Sequence, residues 1–158
     1  MTTGSTVTSP HVLGGAPAWA SDLEGLMDAY RQAGGDPEAL RQANVATLVV
    51  SANQVLMAHE IEGISFEAEK LAEGVKACIV VAPGAQIERT VHLCFGMLPA
   101  EGRQEIIATY DIGAGAQVEF LAHCTFPNAV KLQHVMDADI QVGAGATMTY
   151  TEAHYHGQ

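Results

Sequence analysis

Basic residues are scarce in this sequence: 7 Lys and Arg stand against 18 Asp and Glu, a net charge of −11. So acidic a surface repels phosphate backbones and anionic lipid headgroups, which argues against nucleic acid and membrane surfaces as partners. Long apolar runs are missing too. None approaches the ~20 residues of a membrane span, and the opening MTTGSTVTSPHVLGG lacks the basic start and apolar centre of a signal peptide. Cysteine is limited to Cys78, Cys94 and Cys124, with no CxxC pair. That scattered, odd set excludes a disulfide framework and a closed zinc finger, and predicts reduced thiols in the cytoplasm. No GxxxxGK[ST] phosphate loop occurs, so the chain is not expected to hydrolyse ATP.

What is present reads as one folded domain. Of 158 residues, 48% are hydrophobic and 16 are Gly, which fits a turn-rich chain with a sizeable core. Residues 1–17, rich in Ser, Thr, Gly and Pro, read as a mobile arm. Residues 18–44 read as helical. Ser21 and Glu24 have capping-box spacing, Leu23, Leu26, Met27 and Tyr30 recur at helical intervals, and Gly34-Gly35 stops the run. A second short helix is expected where Asp36 caps, Pro37 takes the first position and EALRQA continues.

From Val45 to the end the period changes to that of strands. ATLVVSA, QVLMAHE, KACIVVAP, ERTVHLCF, QEIIATYDI, QVEFLAHCTF and TMTYTEAHYH are short β-branched and aromatic runs separated by Gly, Pro and Asn. FEAEKLAEGV interrupts them and reads as a helical turn or an irregular corner. The runs repeat: IATYDIGAGAQVEFLAHCTF (107–126) lies beside DADIQVGAGATMTYTEAHYH (137–156) at an offset of 30. VVAPGAQIERTVHLCF matches the first of these at an offset of 31. A Gly-Ala turn followed by a strand, three times at this period, predicts a mainly β protein built as a parallel β-solenoid. An antiparallel sandwich with recurrent turn chemistry is the alternative.

The segment AHCTFPNAVKLQHVMDADIQVGAGATMTYTEAHYHG (122–157), preceded by QEIIATYDIGAGAQVEFLAHC, resembles the SufB/SufD family of iron–sulfur cluster assembly proteins. The similarity covers about residues 22–157 and looks most like the short prokaryotic members. It implies a right-handed parallel β-helix flanked by helices. It also implies a non-enzymatic cytoplasmic scaffold in which two such subunits pair, each carrying a SufC-type ATPase, with an iron–sulfur cluster or iron as cargo of the full complex. Family members are expected to run well over a hundred residues past HYHG. The positions tied to cluster assembly lie there, so none is carried over to a chain that stops at Gln158. A small metal- or ligand-binding β-helix protein or enzyme outside that system is the alternative function.

Candidate chemistry lies in the repeats. Their alignment superposes His92 on His123 and Cys124 on His154, and sets Cys94 one coil below Thr125. Stacked positions in a solenoid lie about 4.8 Å apart, and thiolate with imidazole suits zinc, copper or iron. Cys124, His154 and His156 are the metal candidates, with His92, Cys94 and His123 weaker ones. Against this, successive strand residues face opposite ways, so His123 and Cys124 cannot both point inward without a bulge. Cys78 reads as core and His134 as a surface or polar strand residue; His11 and His59 carry no signal. Glu119 and Glu152 could supply carboxylates but read first as exposed strand acids. An open final coil would expose Met148, Tyr150 and Tyr155, which predicts a homodimer or higher homo-oligomer through that coil.

Overall fold

Strand pairing follows the repeat. In a computed structural model of the chain, which describes residues 18–157, helix α1 (Ala18–Gln32) precedes nine strands. They are β1 (Thr47–Ser51), β2 (Gln54–His59), β3 (Ile64–Lys70), β4 (Gly74–Val81), β5 (Val91–Gly96), β6 (Glu101–Ile112), β7 (Gln117–Phe126), β8 (Lys131–Val142) and β9 (Thr147–His156). They form two mixed sheets, ordered β2-β1-β5-β7-β9 and β3-β4-β6-β8. Within each, the later strands are parallel. β6 pairs with β8 and β7 with β9 at an offset of 30 throughout, from Glu101↔Lys131 to Phe126↔His156. β5 and β7 also run parallel, which rules out an antiparallel sandwich. Among the named strands of the described residues, antiparallel pairs occur only at the start of each sheet, where β2 hairpins onto β1 and β3 onto β4.

The turns stack with the strands. Gly84, Gly115 and Gly145 all have φ near +70°, a conformation open to glycine at little cost. The turns are tied together, Gly84 N–H donating to Ala114 O at 2.8 Å and Gly115 N–H to Ala144 O at 2.9 Å. The close approach demands a second small residue: a Cβ on Gly113 would lie 2.4 Å from the backbone nitrogen of Pro83 in the preceding turn.

Alternation along the strands separates two cores. Leu48, Leu93, Phe95, Phe120, Ala122, Cys124 and Phe126 of one sheet meet Val75, Ile79, Ile106, Tyr110 and Ile112 of the other. On the far face of the first sheet, Leu26, Met27 and Tyr30 of α1 cover Val49 and Cys94, with Leu40 beside them.

Several sequence expectations are corrected. The helix is already formed at Ala18, so Ser21 and Glu24 lie inside it rather than at a capping box. Its end is as expected: Gly34 has φ +93° and Gly35 N–H donates back to Tyr30 O, a Schellman-type stop. The second helix shrinks to a single 3₁₀ turn, Ala39–Arg41. Glu38 N–H donates to the Asp36 carboxylate, so the capping chemistry serves a turn too short to propagate. FEAEKLAEGV is no helix: Phe66 to Lys70 are in β3, and the chain turns into β4, its register set by Ile64, Phe66, Val75 and Ala77 facing the core. Cys78 sits on the outer face of β4, half-buried, not in the core. The proposed arm, residues 1–17, with His11, lies outside the described residues.

A Cys–Glu–His cluster between the sheets

The parity of β7 assigns the candidates to opposite faces. Cys124 is the partner of Phe95 and points between the sheets; His123 is the partner of Cys94 and points towards α1. No bulge brings them together.

The α1-facing group is His92, Cys94, His123 and Tyr30. His92 pairs with Leu121, two residues away from the expected match with His123, although Gln86↔Gln117 keeps the offset of 31. Residues 87–90 hold the extra length. A slip of two preserves the face, so the imidazoles still meet, His92 Nδ1 lying 3.1 Å from His123 Nε2 with the rings stacked. Tyr30 packs edge-on against His123 at 4.3 Å between centroids. Burial, with His92 adding to it, lowers the His123 pKa to about 4. Burial also raises the Cys94 thiol to about 12. Among the described residues, His92, Cys94 and His123 do not bring one donor atom each within 4.8 Å of one another, so this face does not assemble a metal-holding group.

The inward group is different. Cys124, fully buried on β7, is the register partner of His154 on β9. Glu152, two residues before His154, joins them, and a sulfur, an oxygen and a nitrogen from the three lie within 4.8 Å of one another. Glu152 Oε1 is hydrogen-bonded to His154 Nε2 and stands 3.9 Å from Cys124 Sγ; Glu152 Oε2 accepts from Tyr150 Oη at 3.1 Å. Partial burial raises the Glu152 pKa, but the hydrogen bonds from His154 and Tyr150 outweigh it and hold the carboxyl below its usual value. Burial, then the neighbouring Glu152 carboxylate, pushes the Cys124 thiol far up, so without a cation it stays protonated.

Cys124 and His154 are thus brought together, whereas His156 lies tilted against Phe126 at 5.6 Å between ring centroids and stands outside the trio. Glu152 is exposed, as read from the sequence, and His134, read as a surface or polar strand residue, is half-buried; both share the inner-face parity of their strands, β9 and β8. The signal was available: Glu152, His154 and His156 share the parity of Tyr150 and Met148. Glu119 instead accepts from Thr90 Oγ1 on the outer face, and the half-buried His59 reaches Ala43 O.

Parallel strands stacked in two sheets, with a polar, sulfur-containing group from β7 and β9 on the inner-face parity, define a layered β scaffold. Two curated proteins match it in sequence. An iron–sulfur cluster assembly SufBD family protein of Pyrococcus horikoshii is 31% identical over 137 residues, covering 87% of this chain and 42% of the relative. One of Methanocaldococcus jannaschii is 26% identical over 136 residues, covering 86% and 43%. Over this shared length the chain is similar to SufBD family proteins, in line with the resemblance of the motif segment. It spans about two fifths of the length of these relatives. No family model matches the chain, and no solved structure does. Among the described residues no helix is long and apolar enough to cross a membrane.

Proposed function

We propose that this chain is a non-enzymatic scaffold subunit of cytoplasmic iron–sulfur cluster assembly, its two sheets being the first coils of a right-handed parallel β-helix. The observation that carries this reading is its relatedness, over 87% of its length, to a protein named for that assembly. The parallel ladders at an offset of 30 support the β-helix, and three unpaired cysteines suit a reducing compartment. The partners proposed are a SufC-type ATPase and a second SufB/SufD-type subunit. Co-expression with a tagged SufC-type ATPase should retain this chain through affinity and size-exclusion steps. Its complete loss at the first wash would count against the role, and would favour a metal- or ligand-binding protein outside that system.

The chain is further proposed to self-associate. β8 and β9 are edge strands of the two sheets, and Ile140 and Val142 are each 48% exposed beside half-buried Met148 and Tyr150. An open edge with apolar side chains is a template for pairing, and two-fold pairing with a second copy closes it. Tyr155 does not belong to this row; it faces α1, its hydroxyl donating to Gln32 Oε1. Light scattering at micromolar concentration should give about twice the 16.6 kDa chain mass. A monomer would refute the pairing.

A further inference from the structure

We propose that Cys124, Glu152 and His154, joined by His134 from the opposite sheet, form a binding site for a divalent transition metal of borderline softness, Fe²⁺ or Zn²⁺. The trio supplies one sulfur, one carboxylate oxygen and one imidazole nitrogen within 4.8 Å of each other, a donor set that suits these ions and disfavours Mg²⁺ or Ca²⁺.

The fourth donor follows from hydrogen bonding. Gln104 is fully buried on β6, and its Nε2 donates to the carbonyls of Ala52 at 2.9 Å and Gly96 at 3.1 Å. That fixes the amide, so its Oε1 accepts from Nδ1 of His134 at 3.0 Å. Nδ1 therefore carries the proton and Nε2 keeps a lone pair. This Nε2 is buried and has no hydrogen-bond partner. The His134 ring stands edge-on to that of His154 at 6.0 Å between centroids, close enough for a modest rotation to bring its nitrogen to a shared ion. A histidine held through one nitrogen and left open at the other is the arrangement found around bound metals. The carboxylate is oriented likewise, by the Tyr150 hydroxyl on Glu152 Oε2.

Access is compatible with loading. Glu152 and His154 side chains are 32% and 42% exposed, while the sulfur lies beneath them. A cation enters from the β8–β9 side, displaces the thiol proton to solvent and takes the place of the His154–Glu152 hydrogen bond. Until then the Glu152 carboxylate is satisfied by His154 and Tyr150.

The test is anaerobic titration of the tag-free 158-residue chain with Co²⁺, Fe²⁺ or Zn²⁺ alone. One ion per chain should bind, and Co²⁺ should show a near-ultraviolet thiolate charge-transfer band. Cys124→Ser should abolish the band and weaken binding about tenfold or more, and Glu152→Gln and His134→Asn should each weaken it by a similar factor. Cys94→Ser, on the other face of the sheet, should change neither. Circular dichroism establishes that each variant folds. Should Cys124→Ser fail to fold, the more exposed Glu152→Gln decides. Absence of binding, or a band and affinity indifferent to Cys124 and Glu152, overturns the site. The inference is independent of the assembly role: failure here with ATPase capture intact would remove the site alone.

Discussion

Phe120→Ala is expected to lower the stability of this protein by about 3–5 kcal/mol, the range for deleting a buried phenyl group. Phe120 is fully buried at the centre of the layer between the sheets, its ring edge-on to Tyr110 at 5.4 Å. Tyr110 in turn sits edge-on to Tyr150, so one side chain links three of the stacked strands, β6, β7 and β9. Removing Phe120 leaves a cavity that β7, held in register by β5 on one side and β9 on the other, cannot close by shifting. Against a total of about 5–15 kcal/mol the loss is large. Urea unfolding should show the midpoint falling with little change in slope. A loss under about 1 kcal/mol would mean that the layer is not packed as described.

Acid should destabilise the protein through His123. Its pKa is about 4 in the folded state, lowered by burial and then by His92, against about 6.5 in an unfolded chain. As pH falls, the unfolded state therefore takes up the proton first. The stability associated with neutral His123 is complete above about pH 6.5, is lost progressively towards pH 4 and changes no further below it. The full difference is on the order of 3 kcal/mol for a side chain only 6% exposed. His92, lowered by its own burial and by Arg89, acts in the same direction. Unfolding free energies measured between pH 7 and pH 4 should fall more steeply for the wild type than for His123→Gln. Parallel curves would assign the acid sensitivity to other groups.

The α1-facing histidines and the inward Cys–Glu–His cluster differ in how far the sequence could reveal them. Strand periodicity, the Gly-Ala turns and the offset of 30 were legible because a stacked parallel ladder repeats its backbone chemistry at a fixed interval. The same interval paired Cys124 with His154 correctly. It failed at His92, since residues 87–90 add length that no turn signal marks, and only the hydrogen-bonded register shows the slip. FEAEKLAEGV was misjudged for a related reason. Its Glu, Lys and Ala residues favour helix locally, but pairing with β4 and burial of Ile64 and Phe66 override that preference.

The sequence by itself determined the mainly β character, the helix at the start, the period of stacking and the SufB/SufD-type relationship. Each is written in local pattern, which neighbouring residues carry without reference to the rest of the chain. Only the tertiary structure decided that His134, held by Gln104, comes from the second sheet to meet the His154 ring of the Cys124–Glu152–His154 group. That proximity joins β6, β7, β8 and β9 across the interior, and no spacing along the chain encodes which faces of two sheets will meet. The orphaned nitrogen of His134 is likewise a property of the enclosed space, since the same side chain on an outer face would be satisfied by water.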